Sequence, residues 1–193
     1  MRRVIIKRRT SFDPAVLPTD PGIQEILSAI ASDPERTKRI ADDVVLELAE
    51  GRYPLVLTER RAQLDALAKL PPGVAQLIVL HGGMGVRARR HADELLASTE
   101  PRVVLATGRY IGEVFDDPRL DTLVLAMPIA WTATMTQYAG RLHRHHDAKH
   151  EIRILDYVDH EIRVLRRMYA KRQRACTKLG YRTTDTQAAL ALR

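Results

Sequence analysis

Pro54-Leu55-Val56-Leu57-Thr58-Glu59-Arg60 is the most informative stretch of the chain. A short apolar run ends in a hydroxyl residue and then in charge, and helical spacing follows, with Leu64 and Leu67 facing inward. The pattern returns at Val74 to Leu80, which runs into His81-Gly82-Gly83-Met84-Gly85 and then a helix to about Ala97. It returns again at Arg102 to Ala106, which runs into Thr107-Gly108. Segments 3–7, 121–126 and 151–157 read as further strands. Strands apolar throughout and alternating with helices indicate a parallel sheet covered on both faces. In such sheets ligands meet the loops beyond the carboxyl ends of the strands.

Toward the N-terminus, Ile23 to Ala31 reads as a short helix. Asp33-Pro34 starts another, with Asp33 as N-cap, Ile40, Val44 and Leu48 on its inner face and Gly51 at its end. Thr58 is expected to cap a helix over 59–70, Thr134 to Arg144 is expected to be helical, and Asp117 is expected to cap a helix before Pro118. His160 to Leu179 reads as a long basic amphipathic helix. The organisation expected is an N-terminal strand and linker (1–22), a central α/β unit (23–159), the basic helix (160–182) and a frayed tail (183–193). A chain of 193 residues, 45% hydrophobic and 28% charged, suits one globular domain. No apolar run approaches the roughly 18 residues of a spanning helix, so no membrane partner is expected. A lone cysteine, Cys176, excludes an internal disulfide and fits a cytoplasmic setting.

Charge is unevenly placed. Residues 1–9 carry Arg2, Arg3, Lys7, Arg8 and Arg9 with no acid, and 161–182 carry eight cations against Glu161 alone. The stretch between is net acidic, so a polyanion is expected at the basic ends.

Three groups of residues carry candidate chemistry. Thr107-Gly108 closes a strand with a hydroxyl and exposed amides, a modest cradle for an anion. Gly112 through Asp116 and Asp117 add carboxylates. Gln137-Tyr138-Ala139-Gly140-Arg141-Leu142-His143-Arg144 places Gln137, Arg141 and Arg144 at i, i+4 and i+7 on one helical face, with Gly140 allowing close approach. Two planar, permanently charged guanidiniums suit a phosphate chain. Trp131 lies in a site loop, where it either stacks on a base or fills the core. His143, His145, His146 and His150 have no cysteine or carboxylate pattern beside them, so no metal site is expected. The sequence has no G-x-x-x-x-G-K-[ST] phosphate loop.

These motifs resemble the C-terminal motor domain of superfamily-2 helicases of the DEAD/DEAH type. Residues 137–144 look like the family's Q-x-x-G-R-x-x-R motif. Val104 to Gly108 through Phe115-Asp116, Pro54 to Arg60, and His81-Gly82 with Arg89 are similar to its other motifs. The order and spacing agree over roughly residues 50–158, and Gly-Arg-Tyr-Ile-Gly-Glu at 108–113 is similar to bacterial members. The resemblance implies a three-layer RecA-like (P-loop NTPase-like) domain with a mainly parallel sheet and the basic helix appended. It implies arginine fingers at Arg141 and Arg144, a phosphate- or water-positioning Gln137, and ATP contacts at Gly112, Asp116 and Gly140. It also implies nucleic-acid contacts at Arg60, His81, Gly82, Arg89, Thr107 and Gly108. The partners implied are DNA or RNA and an N-terminal RecA-like domain in cis or trans that holds most of the ATP and Mg2+. The chain alone, as a fragment, split-gene product or isolated domain, is then expected to be inactive as an ATPase. Val114 departs from the glycine usual in the family. The alternative is a non-catalytic nucleic-acid-binding module resting on the basic helix.

Overall fold

The computed structural model describes residues 1–69, 75–108, 117–128, 132–147 and 149–185. In chain order the elements are β1 (Arg2–Arg9), a 3-10 turn (Pro14–Val16), α1 (Ile23–Ser32), α2 (Pro34–Ala49), β2 (Pro54–Thr58), α3 (Arg61–Leu67), β3 (Gln76–Leu80) and α4 (Val86–Ala97). They continue with β4 (Arg102–Thr107), β5 (Thr122–Leu125), α5 (Thr132–Leu142), β6 (Glu151–Val158), α6 (Arg163–Lys178) and β7 (Arg182–Asp185). The strands form one sheet in the order β3-β4-β2-β5-β6-β1-β7. Every pairing is parallel. This is the α/β, RecA-like arrangement expected.

The period-2 geometry of a strand explains the unbroken apolar runs, because alternate residues serve opposite layers. Leu55 and Leu57 of β2 pack with Ala92 of α4, Met135 and Ala139 of α5 and Cys176 of α6. Val56 between them packs with Ile40 and Val44 of α2 and Leu64 and Leu67 of α3. A third cluster, Phe12, Ile26, Ile30, Met127, Ile162 and Leu165, closes the strand-tip end under α1.

Both chain ends belong to the sheet. β1 lies between β6 and β7, with Ile5 opposite Ile154 on one side and Thr183 on the other. Residues 183–185, expected to fray, therefore pair with β1. Val4 and Ile5 are buried, which makes β1 a core strand.

Local chemistry sets the helix ends. Asp33 caps α2 as expected, accepting from the amides of Glu35 (2.9 Å) and Arg36 (3.2 Å). Thr58 does not cap α3. Its hydroxyl oxygen accepts from the Arg60 amide (3.1 Å) and donates to Gln63 Oε1 (2.6 Å), a turn that delays the helix to Arg61. Asp117 caps no helix either: it accepts from the amide and guanidinium of Arg119 in a turn. Arg102 and Arg119 jointly take the carbonyls of Leu96 and Ser98 at the end of α4. α5 stops at Leu142, short of Arg144, because buried Lys149 donates Nζ to the carbonyls of Leu142 (2.9 Å) and Arg144 (3.0 Å). Burial lowers the Lys149 pKa, opposed by Asp121 and Asp117.

β6 and α6 are joined by a buried fork. Arg172 Nη2 lies 2.7 Å from Asp156 Oδ1, and its Nε lies 3.0 Å from Oδ2. Breaking one side of such a pair strands a buried charge. Arg172→Met is expected to cost about 3–5 kcal/mol in urea unfolding, and Asp156→Leu with Arg172→Met to recover most of it. A single substitution with an unchanged midpoint would contradict the assignment.

Candidate nucleotide and nucleic-acid site

All the strands are parallel, so their carboxyl ends share one edge, and the loops leaving β2, β3, β4 and β5 gather there. A buried polar chain fixes this edge. Thr10 Oγ1 donates to Asp159 Oδ1 (2.5 Å), and Arg36 Nε lies 3.4 Å from the same oxygen. Arg36 Nη1 donates to the Ala126 carbonyl just beyond β5. Gln63 Nε2 reaches that carbonyl at 3.5 Å, and its Oε1 accepts from Thr58. The tips of β1, β2, β5 and β6 are thus set relative to one another by side chains that are 4% exposed or less, Thr10 excepted.

At the β4 tip, Gly108 is required by close approach. A Cβ there would run into the carboxylate of Glu59 and the hydroxyl of Tyr138. Glu59 follows β2 and Tyr138 lies on α5, so this glycine is where three elements meet. Burial, and then the charge of Glu59, push the Tyr138 phenol up to about 12, so it stays protonated. Thr107 is half-buried beside it.

The β3 loop is more open. His81 Nδ1 lies 3.1 Å from the Gly83 amide, and Nε2 lies 2.6 Å from Arg61 Nη1. Donors face both ring nitrogens, and protonation would remove the one acceptor that the neutral ring offers them. Burial first, then Arg61, lower its pKa, with Asp65 opposing. Gly82 is exposed, with open space where a Cβ would stand. Arg89 is exposed in the first turns of α4. Arg60 donates to Gln24 Oε1 (2.5 Å), so one of its donors is already engaged.

On α5, Met135, Tyr138, Ala139 and Leu142 are buried while Gln137 is exposed and Arg141 is half-buried, with its Nε shielded from solvent. Arg144 is exposed, two residues past the helix end, so it shares the neighbourhood of Arg141 without continuing its helical face. A Cβ on Gly140 would meet no other group, so this surface admits close approach from outside. His143 is structural: it stacks on Tyr181, with Nε2 3.0 Å from the hydroxyl. Burial first, then Arg3 and Lys149, lower its pKa. Among the described residues no group of three His, Cys, Asp or Glu side chains could hold a metal. Gly112, Val114, Asp116 and Trp131 lie outside the described residues.

Sequence reasoning missed the partners of this edge. Arg36 belongs to the inward stripe of α2 with Ile40, Asp43, Val44 and Glu47, and Gln63 to that of α3 with Leu64 and Leu67. A polar residue inside an apolar helical stripe was the available signal. Nothing in the sequence marks the meeting of Glu59, Tyr138 and Gly108.

No protein-family model matches the sequence, and no curated protein does so. Solved structures match its fold. T4 UvsW superposes with TM-score 0.69 at 13% identity, over 95% of this chain and 41% of that one. S. cerevisiae Dbp5 bound to RNA and ADP BeF3 gives 0.65 at 12% identity, over all of this chain and 43% of Dbp5. The C-terminal domain of the DEAD-box protein Dbp5 gives 0.59 at 10% identity, over 97% and 91%. The chain therefore spans less than half of UvsW and nearly all of one helicase C-terminal domain. It has the fold of the C-terminal RecA-like domain of superfamily-2 helicases. No helix among the described residues is long and apolar enough to cross a membrane.

In an NMR titration His81 is expected to have a midpoint below 6.5, moving toward it in Arg61→Ala. Because folding depresses this pKa, the linked stability is complete above 6.5 and is lost as pH falls through the folded midpoint. Gly108→Ala is expected to destabilise by about 1–3 kcal/mol through the crowding of Glu59 and Tyr138. An unshifted His81, or a neutral Gly108→Ala in thermal unfolding, would contradict the geometry.

Proposed function

We propose that this chain is the C-terminal motor half of an ATP-dependent nucleic-acid helicase or translocase. The observation that supports this most is the helicase-type C-terminal fold, on which α5 carries Gln137 and Arg141, with Arg144 just beyond its end. In this reading Arg141 and Arg144 are arginine fingers. Each can bond two oxygens of a triphosphate at once and neutralise charge that grows as the terminal phosphoryl group leaves. Gln137 orients the phosphate or the attacking water, and the open surface over Gly140 admits the nucleotide.

The chain's own residues fit one side of such a site. Its sequence has no phosphate loop, and the described residues include no metal cluster. ATP and Mg2+ would be held chiefly by a second RecA-like domain, in cis or in trans, with Gly112 and Asp116 touching the nucleotide from this side. Mg2+ would supply charge neutralisation at the phosphates. Thr107, Gly108, His81 and Gly82 offer amides and hydroxyls, and Arg60 and Arg89 offer charge, for the sugar-phosphate backbone of DNA or RNA. Backbone contacts of that kind position a strand without reading its sequence.

The expected outcome is that the purified chain does not turn over ATP, and that turnover appears when a RecA-like domain carrying a phosphate loop is fused or added and nucleic acid is present. A phosphate-release assay of the chain alone and of the pair decides it. Turnover by the chain alone would overturn the divided site, and no turnover by the pair would favour the non-catalytic module.

A further inference from the structure

α6 differs from every other helix of the fold in its charge. It carries Arg163, Arg166, Arg167, Lys171, Arg172, Arg174 and Lys178 and no acidic residue. Arg172 alone is turned inward, onto Asp156. The other six are exposed or half-buried at the surface, and none forms an ion pair with a described carboxylate. α2, by contrast, sets Lys38 against Asp42, and α4 sets His91 against Glu94. On α6 the pairs at i, i+4 are Arg163 with Arg167, Arg167 with Lys171, and Arg174 with Lys178, all like-charged and mutually repelling. Arg163 and Arg166 also occupy the first turn, where the helix pole disfavours cations. The fold leaves this repulsion uncompensated, and an extended anion would relieve it.

We propose that the outer face of α6 is a second nucleic-acid contact, separate from the strand-tip loops, that grips the phosphate backbone of a strand passing along the helix. The helix is about 24 Å long, so its cations match a line of charges and not one small anion. A shallow depression of about 380 Å3 lies on this face among Val164, Arg167, Met168, Ala170, Lys171 and Arg174. An interfacial membrane helix would carry large apolar residues opposite its cations on an accessible face. Here Leu165, Met168 and Tyr169 are buried, and the outer face holds Ala170 and Thr177 between the cations. α6 begins shortly after the β6 tip, so the stripe starts at the strand-tip edge and leads away from it. The field at that start is positive. Burial first, then Lys7 and Arg9, lower the His160 pKa, and Arg166 adds to them against Glu161.

The class of polyanion rests on the nucleic-acid reading above, so the test separates the two. Fluorescence anisotropy of the full chain with a labelled single strand of roughly 20 nucleotides, DNA and RNA in turn, is measured across salt. Arg167→Gln with Lys171→Gln and Arg174→Gln is expected to weaken binding at least tenfold at low salt. The slope of log K against log salt should become shallower by about 2, near 0.7 for each phosphate no longer neutralised. Lys171→Gln alone should lower the slope by about 0.7, which covers the case of a poorly folded triple variant. Arg60→Gln with Arg89→Gln serves as the strand-tip comparison. If that pair abolishes binding while the α6 variants keep the parent affinity and slope, the α6 inference is overturned and the helicase reading stands. If the parent chain binds neither strand, both fall. If the α6 variants lose only binding to phosphatidylserine vesicles, the stripe is a membrane contact and the inference is likewise overturned.

Discussion

One buried guanidinium holds the working edge of this molecule together. Arg36 rises from α2 under the strand tips, donates to the carbonyl of Ala126 and pairs with Asp159, which also takes the hydroxyl of Thr10. Gln63 reaches the same Ala126 carbonyl and passes the connection to Thr58. Four strand ends are thereby fixed in water-poor surroundings, where a hydrogen bond to a charged group is worth about 1.5–3 kcal/mol and an unpaired one is a comparable loss. Each loop of the candidate site leaves from that edge, or from β3 and β4 beside it. Their geometry is inherited from a polar lattice inside the fold.

The opposite edge of the sheet is closed by charge. Glu47 receives Arg153 and Arg52, each at 3.1 Å, and Arg153 also reaches Glu50 and Glu151 at 2.6 Å. Burial raises the Glu47 pKa against the pull of Arg153 and Arg52. This ion network ties α2 to the starts of β5 and β6 and uses up its charges internally. At the strand-tip edge Gly82 and Arg89 are exposed, and α6 leaves six cations at the surface. The division between a closed end and an open end is what a parallel sheet with helices on both faces imposes, because its crossovers return every strand to the same side.

Much of the fold is legible because burial on both faces writes itself as unbroken apolar runs: Leu55 to Leu57, Leu77 to Leu80 and Val103 to Ala106 all read as covered strands. The ends are harder. β1 and β7 are flanked by charge, and the sequence does not say that Arg182–Asp185 pairs beside Val4–Lys7, since parallel partners far apart in the chain leave no local mark. Helix limits depart from the spacing wherever a distant side chain intervenes, as Lys149 does at the end of α5. In the site, the register of Gln137 and Arg141 is visible from spacing alone. The reason for Gly108 is not, because it lies in Glu59 and Tyr138, which are distant in sequence.

If α5 presents guanidiniums to a triphosphate gripped elsewhere, the shape of those groups must matter as well as their charge. Steady-state ATPase kinetics of the chain joined to a phosphate-loop RecA-like domain, comparing the parent with Arg141→Lys, measures this. Lysine keeps the charge but loses the planar fork. The expected result is a kcat reduced about 10³-fold or more with the KM for ATP little changed. An unaltered kcat would contradict the assignment of Arg141 as an arginine finger.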